Sequence, residues 1–200
     1  MYKNHLDLQG PHIYASTPKK ICWVRIPKCA SSTILSAFDD LFDYHEYNSR
    51  HDIWDAYFKF AFVRNPWDRI LSCYISKVKL GQGGCSEYLH NFSKNKPSFK
   101  DFLLEITKPE NIEKDRHFAP MSTLMINKNF GDLDFVGRVE FFDEDFSKVC
   151  QEIGIKISPD QIKKQNQTSH DHYRQYYDSH TQKIIEEKYY KDVVNFNYAF

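Results

Sequence analysis

Two apolar runs in this chain end in the same way, and that repetition limits the fold more than any bulk property. The first, "ICWV" (21–24), empties into "RIPKCASST" (25–33) and then into "ILSAF". Lys20 to Ile26 reads as a short buried strand, bounded by charge before and Pro27 after. Ile34, Leu35, Phe38, Leu41 and Phe42 then fall at helical spacing, with Ser31 or Ser32 as the expected N-cap. The second run, "YFKFAFV" (57–63), is broken by "RNP" (64–66). After it, "WDRILSCYISKV" places Ile70, Leu71, Tyr74, Ile75 and Val78 on one helical face. Pro66 cannot continue a ladder and suits a helix start. Strand, tight loop and helix, twice over, imply an α/β fold with a mostly parallel sheet. Ligands of such sheets bind at the carboxyl ends of the strands, and both breaks fall there.

The remaining chain fits one domain over residues 1–200. At 41% hydrophobic and 27% charged residues, it has material for a core and is not a disordered segment. Residues 1–18 read as an N-terminal arm. Residues 79–98 hold three of the seven glycines and many polar residues, and read as a mobile loop over a cleft. "FKDFLLEI" restarts a helix, "LDFVGRV" (133–139) is a strand, and "DEDFSKVCQEIG" is a helix closed by Gly154. Residues 159–200 read as a helical C-terminal region.

Several function classes are disfavoured. With 27 basic and 27 acidic residues, a nucleic-acid backbone is not the expected partner. No run approaches the roughly 20 apolar residues of a membrane span, and the N-terminus has no signal-peptide core. The five cysteines (Cys22, Cys29, Cys73, Cys85, Cys150) form no C-x-x-C pair and read as reduced thiols. No metal is expected, because His and Cys never cluster at ligand spacing. Cys29 reads as a small residue that lets its loop close.

The loop from Pro27 to Thr33 buries little. It offers backbone N–H groups, hydroxyls and the Lys28 charge, and it opens onto the positive end of a helix. Those are the requirements of a phosphate or sulfate. The Walker pattern is missing: no glycine lies between Arg25 and Phe38, and the lysine precedes the small residues. A nucleoside triphosphatase is therefore disfavoured.

"IPKCASSTI" resembles the phosphosulfate-binding loop of sulfotransferases, in which a P-K dipeptide precedes small and hydroxyl residues. "FAFVRNPWDRILSCY" resembles the superfamily's 3′-phosphate signature, with Arg64 ending a strand and Ser72 eight positions on. "DFVGRVEFFDEDFSKVCQEIG", with Arg138 and Glu140 at matching positions, and the tail from Gln165 are similar to the carbohydrate branch. The likeness runs from about Lys20 to Phe200. Both signatures together, each between a strand and a helix and in the right order, are specific; either alone is weak.

The resemblance implies a P-loop-like three-layer fold, its central sheet flanked by helices. It also implies 3′-phosphoadenosine 5′-phosphosulfate (PAPS) as sulfate donor and O-sulfation of a saccharide hydroxyl. Lys28 would stabilise the bridging oxygen, while Cys29, Ala30, Ser31, Ser32 and Thr33 would hold the 5′-phosphate. Arg64 and Ser72 would hold the 3′-phosphate. Each has a duller reading: a solvated lysine, a salt-bridge arginine, a helix-surface serine. A histidine suits the acceptor's proton. His51 is the favoured base, because relatives place a histidine before the second strand; His45 and Glu46 are alternatives. Arg116 and His117, in an H-x-x-P segment that recurs in this branch, would hold the acceptor. By analogy Tyr173 and Arg174 approach the nucleotide, although Tyr173, Tyr176 and Tyr177 read equally as core. His170, His172 and His180 read as surface residues.

The expectation is thus a compact, soluble, cytoplasmic bacterial enzyme rather than a Golgi lumenal catalytic domain. A protein, lipid or small-alcohol acceptor is the nearest rival, and a non-catalytic nucleotide-binding module is the rival from another class. The oligomeric state is open.

Overall fold

A computed structural model describes residues 13–38, 40–46, 56–82, 85–126, 133–156, 162 and 171–200. These fall into two compact units, one built mainly from Gly10–Arg64 and Met125–Gln167, the other mainly from Asn65–Leu124 and Thr168–Phe200.

The first unit carries a five-stranded sheet. Its strands are β1 (Ile13–Ser16), β2 (Ile21–Val24), β3 (Tyr44–Glu46), β4 (Phe58–Val63) and β5 (Phe135–Arg138), in the order β3-β1-β2-β4-β5. β2, β4 and β5 are parallel neighbours, whereas β1 is antiparallel to both β2 and β3. Four strands therefore point one way, and the sheet is mostly parallel, as expected. β1 corrects the reading of residues 1–18 as an arm: Ile13 and Ala15 are buried, and Ile13 pairs with Val24. Four residues that include a Tyr and a Ser are too short for alternation to announce a strand.

In this unit α1 (Ser31–Ala37) follows β2 and α6 (Phe142–Glu152) follows β5. Period-two spacing sends Phe58, Phe60 and Phe62 to one face of the sheet. Phe60 stacks on Trp23 at 6.4 Å, and Phe62 meets Phe142 at 5.3 Å and Phe146 at 6.3 Å. Phe38, just after α1, closes on Phe146 at 4.9 Å. Removing one such ring costs about 3–5 kcal/mol, so this layer fixes the strands that carry the loops. At the other end of β4, buried Lys59 donates to the Tyr57 carbonyl (3.3 Å) and sits 3.6 Å from Asp134.

The second unit is helical: α2 (Pro66–Cys73), α3 (Glu87–Ser93), α4 (Phe99–Ile106), α5 (Met121–Ile126), α7 (Ser179–Lys188) and α8 (Tyr190–Asn195). Trp67, Ile70, Leu71, Tyr74, Phe102, Phe118, Ile185 and Tyr189 belong to its core. α2 widens into a π-helical turn, Tyr74–Lys79. The stretch 79–98, read as a loop, contains α3. Ser86 caps it by accepting from Leu89 N–H (3.2 Å), and Leu89 is fully buried. Among the described residues no helix is long and apolar enough to cross a membrane.

Candidate functional site

The first half of the site lies where β2 stops. Lys28 (φ 68°) and Ala30 (φ 57°) both take the left-handed conformation. For residues with a Cβ this costs about 1–2 kcal/mol each, so the surrounding loop must enforce it. Two contacts do so. Cys29 N–H donates to the Ile26 carbonyl at 3.3 Å, and Ser31 Oγ donates to the same oxygen at 2.6 Å.

The second contact revises two expectations. The Ser31 hydroxyl spends its proton inside the loop, and the N-cap is Ala30, with no side-chain cap at all. The ladder of α1 begins with Ile34 N–H on the Ala30 carbonyl at 3.0 Å. The N–H groups of Ser31, Ser32 and Thr33 therefore lie ahead of it, at the positive end of the helix. Such a turn fits an anion. Thr33 and Cys29 are buried, while Lys28, Ser32 and Ala30 are partly exposed.

Arg64 closes the other side of this edge. Adjacent parallel strands bring it there: Val24 pairs with Ala61, so β2 and β4 finish side by side. Arg64 Nη1 donates to the Lys28 carbonyl at 3.3 Å. The two signatures thus meet within one unit, through a side chain and a backbone oxygen. Arg138 ends the next strand opposite Val63, and its N–H donates to Asp145 at 2.8 Å. Ser72 stands on α2 in the helical unit and is buried at 2% exposure.

The helical unit supplies a second cluster, around "DRHFAP" (115–120). Asp115 is fully buried. One of its oxygens accepts from the His117 ring Nδ1 (2.7 Å) and backbone N–H (2.8 Å); the other accepts from Ser86 N–H (2.7 Å). Burial pushes the Asp115 carboxyl up, but the His117 and Ser86 hydrogen bonds and the His117 charge outweigh it and hold it at about 2. Arg69, 1% exposed, donates to the Ala119 carbonyl (2.7 Å) and the Arg116 carbonyl (2.8 Å). Tyr189 Oη donates to the Phe118 carbonyl at 2.7 Å, and Asp192 accepts from Met121 and Ser122 N–H at 2.7 Å each. Arg116 is itself 1% exposed and His117 9%.

Arg69, Asp115 and Asp192 had no role in the sequence reading. Arg69 looks like an ordinary polar interruption of an amphipathic helix, and Asp192 lies more than 70 positions from the backbone it holds. Asp115, two positions from His117, carried the one local signal. Asn65 was also missed: it caps α2 by accepting from Trp67 N–H (3.1 Å) and donates to the Ala199 carbonyl (3.1 Å).

His51 lies outside the described residues, as does His170. His45 and Glu46 stand on β3 opposite Tyr14 and Ile13. Tyr173 and Tyr177 pack their rings on Phe200 at 5.6 and 5.8 Å, the core reading of those aromatics. Arg174 donates to the Phe200 carbonyl at 2.6 Å, and His180 lies in α7. All five cysteines are free. Burial pushes the Cys22 thiol up to about 12 and Cys150 to about 11, which leaves both as neutral, inert thiols.

Comparison with known proteins agrees with these features. The family model described as "Sulfotransferase family" matches residues 11–199. An uncharacterized protein of Archaeoglobus fulgidus is 27% identical over 104 residues, covering 52% of this chain and 72% of that protein. No solved structure gives a significant match.

Proposed function

This chain belongs to the sulfotransferase family, and from that premise we propose that it moves the sulfuryl group of PAPS to a hydroxyl of a carbohydrate acceptor. The observation that carries this reading is the 3.3 Å contact between Arg64 Nη1 and the Lys28 carbonyl. It supports one site for an anion with a phosphate at each end. The 5′ end would lie against residues 28–33 and the 3′ end against Arg64, with Ser72 adding a hydroxyl. Sulfuryl transfer asks little covalent work of a protein. It asks for positioning and for stabilisation of charge on the leaving oxygen, which a lysine at a helix N-terminus supplies. Arg116 and His117 would meet the acceptor. The acceptor hydroxyl also needs a proton acceptor, for which His51, His45 and Glu46 are the sequence's candidates.

The test is transfer of radiolabelled sulfate from PAPS to a panel of glycans, with a tyrosine peptide, a lipid alcohol and simple alcohols alongside. Label on sugar hydroxyls is the expected result. Label only on another acceptor would reassign the substrate. Tight 3′,5′-ADP binding with no transfer to anything would make the chain a nucleotide-binding module.

A further inference from the structure

Resting on that reading, we propose that His117, oriented by Asp115, takes the proton from the acceptor hydroxyl. A carboxylate can only accept, so the 2.7 Å contact between Asp115 Oδ1 and His117 Nδ1 places a hydrogen on Nδ1. In the neutral ring the lone pair is then on Nε2. That is the arrangement by which a buried acid fixes a histidine's tautomer for base chemistry.

The backbone around the ring is held unusually firmly. Arg69 fixes the carbonyls on both sides, at Arg116 and Ala119. Tyr189 fixes the Phe118 carbonyl, and Asp115 also holds the His117 N–H. Meanwhile 11% of the His117 side chain reaches the surface, whereas Asp115 is wholly enclosed. A buried aspartate that served only to tie the loop at Ser86 would not require an imidazole on its second oxygen. Rigid support behind a partly exposed ring is the layout of a positioned base.

The chemistry balances. The acceptor oxygen bonds to sulfur as its proton passes to His117 Nε2. The bond from sulfur to the phosphate oxygen breaks, and that oxygen leaves with the electron pair, its charge met by Lys28. Sulfate ester, 3′,5′-ADP and an imidazolium paired to Asp115 result, and the imidazolium returns its proton to water.

Three measurements on the full chain test this. Nitrogen chemical shifts of the His117 ring, read by NMR without substrate, should report the Nδ1–H tautomer; an Nε2–H tautomer overturns the proposal. His117→Asn keeps a donor near the Nδ1 position but removes the base. It should lower kcat/KM for sulfate transfer from PAPS to p-nitrophenyl glycosides by about 10²-fold or more, with 3′,5′-ADP affinity unchanged. The third is the pH profile of kcat/KM, whose acid limb should vanish in His117→Asn. Charged or titratable groups around the ring include Asp115, Arg116, Arg69 and Cys85, with Lys77 beyond Cys85. Should His117→Asn keep both rate and acid limb, or should His51→Ala erase that limb instead, His117 is not the base. If wild type binds no 3′,5′-ADP, the sulfotransferase reading fails first and takes the base with it.

Discussion

Arg64 and Lys28, 36 positions apart in sequence, meet through a single contact: guanidinium Nη1 to backbone carbonyl, 3.3 Å. The contact ties the end of β4 to a loop whose lysine is held in a left-handed conformation. One arginine therefore acts on both halves of the proposed nucleotide site.

Arg64→Ala should weaken 3′,5′-ADP by about 10- to 100-fold, the worth of a charge-assisted hydrogen bond at 1.4 kcal/mol per decade. Arg64→Lys should recover only part of this, because an ammonium lacks the planar fork. Isothermal titration measures both. Unchanged affinity in Arg64→Ala would remove the residue from the site.

Lys28→Ala should have the opposite signature. Removing a charge aimed at the leaving oxygen should lower kcat by about 10²–10³-fold. Nucleotide affinity should fall much less, since backbone N–H groups remain. Steady-state kinetics beside titration separates the two. Equal losses in rate and affinity would make Lys28 a binding residue only.

Gly137 faces the ring of Phe62: a Cβ there would lie 2.6 Å from the ring carbon Cε1. The ring cannot retreat easily, because Phe60, Phe142 and Phe146 surround it. Gly137→Ala should cost about 1–3 kcal/mol in urea unfolding, and Phe62→Leu in the same chain should restore part of it. A neutral Gly137→Ala would mean that the sheet face is looser than its ring contacts imply.

Asp115 gives a signed pH effect. Its carboxyl lies at about 2 in the folded chain against 3.8 ordinarily, so its stabilisation is full above pH 3.8 and is lost as pH falls toward 2. That loss amounts to about 2 kcal/mol by linkage. Asp115→Asn should lack it, with lower stability at neutral pH and a shallower acid limb in unfolding. Parallel acid limbs in the two proteins would contradict the Asp115–His117 pairing.

The sheet edge was legible in the sequence because its signals are local. A proline break after an apolar run marks a strand end, and β2, α1, β4 and α2 form within a few residues of where periodicity places them. β1 was hidden by its four-residue length, and α3 by the glycines before it. The hydroxyl of Ser31 was misjudged because its partner, Ile26, becomes available only once the loop turns back. Arg69, Asp115 and Asp192 were invisible for a deeper reason. They act on carbonyls and N–H groups brought close by folding, and composition cannot mark which charged residue will be buried.

The most direct test of the nucleotide site is a comparison of melting temperatures with 3′,5′-ADP and with ATP at equal millimolar concentration, in wild type and in Arg64→Ala. A ligand that binds only the folded chain raises stability by about 2.7 kcal/mol at a hundred times its Kd. The account predicts a clear upward shift with 3′,5′-ADP, little with ATP, and loss of most of the 3′,5′-ADP shift in Arg64→Ala. Equal shifts with both nucleotides, or a shift that survives Arg64→Ala intact, would contradict it.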